Sequence, residues 1–428
     1  MKIFRFSGRA LGICAAAGFL AGCGGSHASL GSPTSLVPSV AGFRAGPAAG
    51  KEQVLYSFSG GNDGGNAATG LAIDPSGNLY GTTVIGGNAT CGTVFKLAPQ
   101  PTPPWSETVL YNFGCFADGK SPHGGVNFDK HGNLDGTTVA GGSGGACASD
   151  GCGLVFQLTA PTENVLHSFT AGSDGFGPGG GVVFDRAGNI YGTTPDGGAD
   201  YVGVIYEVSP SGTQWKERVI HTFTGGKDGA VGSLGSLLID KSGNLYGVTE
   251  EGGAHSAGTV FKMSQTSKNH WKLTTLYAFK GTPDAGSPYG GLVANASGHL
   301  FGTTYYGGAK GLGSVYELTP SGKGRYRERV LYSFQGGSDG SSTTTTLVFG
   351  GSGDLYGTTS AGGASCDCGT IFKVNPTTGA EKVLHAFGGT GDGAYSYYGL
   401  TADKSGNFYG TTVAGGLFGQ GTVFKFTP

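Results

Sequence analysis

Short apolar runs alternate with turn residues along most of the chain. The first unit has such runs at residues 54–58, 70–74, 78–83 and 92–97. Each run is short, rich in β-prone residues and bounded by Gly, Asp, Asn or Pro, which is typical of β-strands joined by turns. No window shows the apolar face of an amphipathic helix. The pattern therefore predicts an all-β chain.

This four-strand unit occurs seven times. Its most constant part is a Gly-Thr-Thr triplet or a variant of it, beginning at Gly81, Gly136, Gly192, Gly247, Gly302, Gly357 and Gly410. A fixed period of this size is typical of solenoids, propellers and arrays. Four short strands describe a meander sheet, and seven such sheets placed radially make a β-propeller.

The order of the runs predicts how the ring closes. By analogy with other propeller repeats, 70–74 is an innermost strand a and 54–58 an outermost strand d. The chain thus starts with a lone strand d and ends with a, b and c, so that the first strand completes the last blade and removes two exposed edges. A linear β-solenoid, the alternative, needs caps at both ends. We expect a seven-bladed propeller of four-stranded antiparallel blades over residues 53–428.

The start of the chain has a different pattern. Residues 1–9 carry three basic side chains, residues 10–19 are apolar, and Leu-Ala-Gly-Cys follows at 20–23. A charged start, a short apolar core and small residues at the cut are the parts of an export signal. The apolar stretch is too short to span a bilayer.

Residues 20–23 resemble the bacterial lipobox, which implies cleavage before Cys23 and lipidation of its thiol. An ordinary secretory signal is the alternative. Residues 1–22 are then the signal peptide, and 23–52 are the lipidated Cys and a flexible tether rich in Gly, Ser, Pro and Ala. Because Gly24 rather than Asp follows Cys23, we expect an exported protein anchored to the outer membrane or cell surface rather than the inner membrane.

The repeat region, residues 53–428, resembles the GloVer (Gloeo/Verruco) tandem repeat family. The matching segments are Asp-Pro-Ser-Gly-Asn-Leu-Tyr-Gly-Thr-Thr at 74–83 and Gly-Thr-Val-Phe-Lys-Leu at 92–97, with close internal copies at 240–247 and 403–412. The resemblance implies an exported bacterial protein held at the cell surface by one of several anchors. It implies no established activity and no catalytic residue.

The composition of the chain excludes some classes of binding partner. Of 428 residues 88 are Gly, only 13% are charged, and the net charge is -2, so no basic field for nucleic acid is present. The sequence contains no nucleophile elbow, zinc-ligand spacing or phosphate loop. We therefore expect no cofactor and no metal, and a monomer whose partners are the membrane and a glycan or protein ligand.

Two rows of Asp recur in the turns. One row lies between strand d and the next strand a; it comprises Asp63, Asp118, Asp174, Asp228, Asp284, Asp339 and Asp392. The other row ends strand a; it comprises Asp74, Asp129, Asp185, Asp240 and Asp403. Both are interpreted as turn residues whose side chains cap backbone N–H groups. The alternative for the first row is a cation-binding face, but each loop offers one carboxylate where calcium needs six to eight oxygens.

Histidine and tyrosine share one position in strand d. His167, His221 and His385 occupy it in three blades, and Tyr56, Tyr111, Tyr277 and Tyr332 in the others. A site that accepts either ring indicates packing rather than metal binding. Strand b carries another aromatic row, expected in the core between blades. Asp135 interrupts that row in blade 2, and the sequence offers no reason for it.

Candidate ligand residues lie in the d–a and b–c loops, which share one face of a propeller. Glu250, Glu251 and His255 depart from the repeat in blade 4 and could support acid–base chemistry or a metal. Exposed tyrosines dock sugars or proteins; the candidates are Tyr201, Tyr289, Tyr305, Tyr306, Tyr395, Tyr397 and Tyr398. Solvated loop residues are the simpler interpretation of both sets.

Six cysteines remain after Cys14 in the signal and Cys23 are set aside. Export makes disulfides the default. Cys147 and Cys152 share one b–c loop and can bridge locally. Cys91 and Cys115 are placed to join the first b–c loop to the crossing into blade 2. For Cys366 and Cys368 a strained disulfide, a metal site and a redox role stay open.

Two functional hypotheses follow. The favoured hypothesis is a non-catalytic binding or scaffold module, because the blades are near-equivalent and no catalytic constellation is visible. The alternative is an enzyme that acts on extracellular glycan or a related polymer through the loop face near Glu250, Glu251 and His255.

Overall fold

The computed structural model describes residues 50–428 except 144, 146, 148, 149, 233, 234 and 323. The predicted signal peptide, Cys23 and most of the tether lie outside the described residues. Within the described part of the chain, no helix is long and apolar enough to cross a membrane.

Short strands make up almost all of the regular structure. In chain order they are β1 (Lys51–Ser57), β2 (Ala72–Ile73), β3 (Leu79–Thr83), β4 (Thr93–Ala98), β5 (Ser106–Asn112), β6 (Val126–Phe128), β7 (Leu134–Thr138), β8 (Leu154–Thr159), β9 (Thr162–Ser168), β10 (Val183–Phe184), β11 (Ile190–Thr194), β12 (Val204–Ser211), β13 (Gln214–Thr222), β14 (Ala230–Gly232), β15 (Leu238–Ile239) and β16 (Leu245–Glu251). The remaining strands are β17 (Thr259–Ser267), β18 (His270–Ala278), β19 (Ala285–Pro288), β20 (Val293–Ala294), β21 (Leu300–Gly307), β22 (Ser314–Gly322), β23 (Arg325–Ser333), β24 (Val348–Phe349), β25 (Leu355–Thr359), β26 (Thr370–Val374), β27 (Glu381–Ala386), β28 (Gly393–Ala394), β29 (Thr401–Ala402), β30 (Phe408–Thr412), β31 (Ala414–Gly415) and β32 (Thr422–Thr427). A 3-10 turn at Gly337–Asp339 precedes β24.

These strands form seven antiparallel blades, as the repeat predicts. Blades 1 to 6 run from strand a to strand d as β2–β5, β6–β9, β10–β13, β15–β18, β20–β23 and β24–β27. Blade 7 has the order β29-β30-β32-β1. Its outermost strand, β1, pairs with the last strand of the chain from Lys51↔Thr427 to Ser57↔Thr422. The predicted closure by the N-terminal strand is therefore confirmed, and β1 begins two residues before the boundary expected at residue 53.

The inner strands are shorter than the sequence suggests. Strand a keeps only two or three paired residues, as in β2 and β6. Around the axis the backbones of neighbouring blades touch: a Cβ on Gly399 would lie 2.3 Å from the carbonyl oxygen of Thr346 in the preceding blade. Because this crowding and the Asp-led turn that follows leave little straight chain, strand a ends early.

The hydrophobic core lies between blades rather than inside them. At each of the seven junctions a fully buried Phe that follows strand d meets an aromatic ring of strand c in the next blade edge to face, for example Phe58 and Phe95 with ring centroids 5.1 Å apart. Strand b aromatics also cross junctions: Tyr80 contacts Phe128, and Tyr356 stacks on Phe408. This confirms the predicted inter-blade role of the strand b row.

The Gly-Thr-Thr triplet has a distinct physical reason at each position. Gly81 makes room for the Phe95 ring, since a Cβ there would lie 2.7 Å from it. The first Thr tethers the next blade, as Thr82 Oγ1 donates to the Pro122 carbonyl at 2.9 Å. The second Thr supports its own blade, because Thr83 Oγ1 accepts from the Thr93 N–H at 3.1 Å. The triplet thus packs its own blade through Gly81 and Thr83 and fastens that blade to the next one through Thr82.

Replacing Gly81 with Ala is expected to lower the free energy of unfolding by about 1–3 kcal/mol, because overpacking a filled core forces neighbours to move. Urea denaturation measures it. The matched control is Gly70→Ala in the same blade, where a Cβ meets nothing within 4 Å. Equal stability of Gly81→Ala and the parent would show that the Phe95 ring does not need this space.

Candidate functional site

The d–a and b–c loops lie on one face, as expected, because they pair with each other within each blade. In blade 7, β28 in the d–a loop pairs with β31 in the b–c loop. In blade 5, β19 extends β21 in the same way, and single bridges such as Gly65↔Ile85 do so elsewhere. We call this surface the loop face. These extra strands are absent from the sequence-based prediction because Gly-rich segments carry no strand pattern.

A group of tyrosines gathers on the loop face near the axis. Tyr289 precedes Gly290, and Tyr397 and Tyr398 precede Gly399; both glycines touch the neighbouring blade in the inner ring. Burial first, and then the charges of Tyr398, Glu250, Tyr305 and Tyr397, raise the pKa of Tyr289 well above its ordinary value. These five side chains, from the loops of blades 4, 5 and 7, are close enough to interact. We call them the tyrosine cluster.

The surroundings of the cluster hold its backbone in place. Thr344, from the Thr run of blade 6, donates its hydroxyl to the Tyr397 carbonyl at 2.7 Å. Tyr397 keeps an exposed ring, at 36%. Tyr306 lies beside Tyr305 with ring centroids 4.6 Å apart and is 56% exposed. The cluster therefore combines the partly buried Tyr289 and Tyr398 with the more exposed Tyr397, beside the exposed Tyr306.

The structure separates the blade 4 residues that the sequence grouped. Glu250 and Glu251 are consecutive on β16, so their Cβ atoms point to opposite faces of the strand. Glu250 interacts with Tyr289, whereas His255 is exposed at the tip of the b–c loop. Among the described residues these three do not form a group with ligand atoms within 4.8 Å of one another. Their acid–base role stays a prediction, with Glu250 alone placed in the tyrosine cluster.

The loop Asp row performs turn chemistry. Asp118 accepts from the Gly114 N–H at 2.7 Å and from the Tyr111 hydroxyl at 2.9 Å. The same arrangement recurs with His221, whose Nε2 lies 3.1 Å from Asp228. The shared Tyr/His position of strand d is thus explained by a ring that packs on the following Phe and points a polar atom at this Asp.

The second Asp row starts the a–b turn, as predicted. Asp74 accepts from the Ser76 and Asn78 N–H groups and from the Tyr80 hydroxyl. Burial alone would raise its pKa, but these bonds hold the pKa below its ordinary value. In blade 6, which has Gly350 at this position, the carboxylate is supplied from Asp354 instead, which accepts from Lys373 and Asn375.

Asp135 stands where the other blades have an aromatic residue on strand b, and its buried carboxylate is only partly hydrogen-bonded. It is fully buried, and Gln157 donates to its Oδ1 at 3.1 Å, while Oδ2 has no hydrogen-bond partner. Burial raises its pKa to about 7, against the effect of the Gln157 bond. The pairing with Gln157, in place of the Lys or Glu of other blades, is the adaptation that the sequence did not reveal.

A row of glutamates escaped the sequence analysis. Strand d carries a Glu four residues before the Tyr/His position in six blades: Glu52, Glu107, Glu163, Glu217, Glu328 and Glu381. Each has a buried Oε1 without a hydrogen-bond partner and lies beside the Asp of the d–a loop that leads into its own blade, as Glu107 does beside Asp63. Blade 4 has Leu273 instead. Aligning the repeats shows this row, but only the fold shows that it faces a second carboxylate.

Three disulfides brace the loop face. Cys91 pairs with Cys115 and Cys147 with Cys152, each with Cα atoms 5.3 Å apart, which confirms both predicted pairings. Cys366 and Cys368 are also bonded to each other. Of the alternatives left open for this last pair, the structure supports the disulfide.

The repeat that builds this ring and face is shared with other proteins. The profile of the Gloeobacter/Verrucomicrobia repeat matches residues 143–327 and 269–428. The chain belongs to this repeat family. No protein of curated function matches the sequence.

Several solved structures are similar to this chain in fold. A fungal alcohol oxidase in complex with copper has a TM-score of 0.52 and 15% identity, covering 88% of this chain and 76% of its own. A gluconolactonase from Xanthomonas campestris has a TM-score of 0.39 and 12% identity, covering 64% and 78%. A puromycin-hydrolyzing peptidase from Mycobacterium tuberculosis has a TM-score of 0.47 and 12% identity, covering 86% of this chain and 53% of its own. At these identities the likeness concerns the fold alone, since propellers support many unrelated functions.

Proposed function

We propose that the protein is an exported, lipid-anchored binding module whose loop face holds an extracellular glycan. The observation that carries the proposal is the tyrosine cluster, in which Tyr289 lies within electrostatic reach of Tyr305, Tyr397, Tyr398 and Glu250. Tyrosine offers a flat apolar ring and a polar hydroxyl in one side chain. That combination suits a sugar, which has apolar ring faces and hydroxyl edges.

A glycan fits this site better than a protein partner. Tyr289 and Tyr398 are largely buried beside the inner ring, so the cluster is recessed rather than a flat protruding patch. A slender chain of sugars reaches partly buried phenols and one carboxylate more readily than a globular surface does. The low charge of the whole protein also favours a ligand bound by stacking and hydrogen bonds.

Tyr397→Ala is expected to weaken glycan binding at least tenfold, because truncating a central aromatic typically costs about 2 kcal/mol or more. The measurement is a glycan array followed by calorimetry on hits, with the full chain in mild detergent. Tyr201→Ala is the matched control, since Tyr201 is 64% exposed on the blade 3 b–c loop, outside the cluster. Equal affinity of parent and Tyr397→Ala, or an equal loss in the control, would contradict the proposal.

The same panel separates binding from catalysis. If the protein shortens a polysaccharide and Glu250→Gln abolishes the cleavage, the enzyme hypothesis replaces the binding module. If a peptide array binds and the glycans do not, the site serves a protein partner instead.

Anchoring is tested at Cys23. Cys23→Ser is expected to remove acylation, because serine lacks the thiol that the lipidating enzymes modify. The unacylated protein should then be released from the membrane. Metabolic labelling with a fatty acid and membrane fractionation measure both effects. Lipid on the Cys23→Ser protein would show that the lipobox assignment is wrong.

A further inference from the structure

The junction where the ring closes brings a histidine and two carboxylates together. Glu52 lies on β1, His385 on β27, and Asp392 in the loop that follows β27. One ligand atom from each lies within 4.8 Å of the other two, and this is the one such group among the described residues. We propose that these three side chains bind a zinc ion that fastens the N-terminal strand to blade 6.

The distances suit zinc coordination. His385 Nε2 and Asp392 Oδ2 are hydrogen-bonded at 3.0 Å, and a shift of a few tenths of an ångström would bring them to the roughly 3.3–3.6 Å that separates two ligands on a tetrahedral ion with bonds of roughly 2.0–2.2 Å. Glu52 Oε1 is buried and has no hydrogen-bond partner, so it is available as the third ligand after a small side-chain rotation. Water completes the coordination, as at sites with three protein ligands.

The three ligand groups indicate which metal ion the site would bind. One imidazole and two carboxylates are ligands for Zn²⁺, whereas Mg²⁺ and Ca²⁺ prefer oxygen ligands alone. A cation would also neutralise two carboxylates that meet in a half-buried place, where Asp392 is 21% exposed. The site differs from the Tyr-containing junctions, which have the carboxylates but no nitrogen ligand.

The repeat itself supplies controls. Four blades have Tyr at the position of His385, and in each the hydroxyl bonds the equivalent Asp, as Tyr332 bonds Asp339 at 2.8 Å. His385→Tyr should therefore keep the packing and remove the zinc ligand. At the junction of blades 3 and 4, His221 bonds Asp228, but Leu273 takes the place of the Glu. His221→Tyr is thus a matched change at an incomplete site.

If zinc binds at this junction, it should raise the melting temperature of the protein. The full chain in mild detergent is treated with a chelator, dialysed and heated with and without Zn²⁺. Zinc at about 100 times its dissociation constant is expected to raise the melting temperature by roughly 3–5 °C. The rise should vanish in His385→Tyr and Glu52→Gln and persist in His221→Tyr, with Mg²⁺ giving no rise in any of them.

Metal content provides a second measurement, independent of stability. Elemental analysis after gel filtration should find zinc in the parent and in His221→Tyr, and none in His385→Tyr. Absence of a zinc-dependent rise in the parent would overturn the proposal, as would a rise that His385→Tyr and Glu52→Gln leave unchanged or that His221→Tyr abolishes. These outcomes do not depend on glycan binding, so this inference and the proposed function stand or fall separately.

Discussion

A chain that starts at Ala68 is expected to lose most of its stability. It lacks β1, which fills the outer edge of blade 7, and with it Leu55 and Phe58, which are 1% and 0% exposed. Truncating one buried Leu or Phe to Ala typically costs about 2–5 kcal/mol. The loss of both, together with a whole ladder of hydrogen bonds, should exceed about 5 kcal/mol, comparable with total stabilities of roughly 5–15 kcal/mol.

The measurement is calorimetry or circular dichroism of the truncated and parent chains. Supplying residues 50–59 as a synthetic peptide should restore part of the lost melting temperature, because the peptide can occupy the open edge of β32. A peptide with Leu55 and Phe58 replaced by Ser is the control. If the truncated chain melts like the parent, closure by β1 does not stabilise the ring.

Stability is expected to fall as the pH rises from 6.5 to 8.5. Burial, and then the neighbouring loop Asp, raise the pKa of Glu107, Glu163 and Glu217 to about 7 and that of Glu328 and Glu381 to about 8. In the unfolded chain these groups titrate near 4.5, so the folded state holds more protons in between. The contribution of these glutamates to stability is therefore fully present below about pH 4.5, and it is lost as the pH rises through their pKa values in the folded protein.

The buried histidines and Asp135 also contribute to the pH dependence of stability. Burial lowers the pKa of His123 to about 4 and, opposed by their Asp partners, lowers that of His167 and His221. These histidines favour folding at higher pH, and because their unfolded pKa is 6.5 this effect is complete only about one unit above that value; between pH 6.5 and 8.5 the part that remains is smaller than the opposite effect of the carboxyl groups. Asp135, with its pKa raised to about 7, acts in the same direction as the glutamates. Above pH 6.5 the carboxyl groups therefore decide the slope.

Thermal melts at pH 6.5 and 8.5 measure the effect, which should be on the order of 3 kcal/mol once solvent screening of the half-buried carboxyl groups is allowed for. The double variant Glu328→Gln/Glu381→Gln should remove more than half of the pH dependence, since its two groups titrate highest. Leu273→Glu, which adds a seventh pair beside Asp228, should steepen it. A parent whose melting temperature is the same at both pH values would show that the glutamates stay ionised in the folded protein.

The repeat pattern was enough to establish the blade count and the closure. Strand phase is a local property, because turn residues and apolar runs follow one another at fixed spacing, and a lone strand d at the start has only one vacant edge to fill. The pairings of Cys91 with Cys115 and of Cys147 with Cys152 followed from the same phase, which places the members of each pair on one face.

Only the ring decided which side chains meet across it. Glu250, Tyr289 and Tyr398 are far apart in the chain, and no spacing rule brings them together; they converge because the loops of blades 4, 5 and 7 all approach the same axis. Likewise Glu52 meets His385 and Asp392 only because β1 closes blade 7 beside blade 6. The repeat pattern shows the interactions that every blade makes within itself and with its neighbours. A site built from unlike residues of several blades exists only once the closed ring has set the distances between those residues.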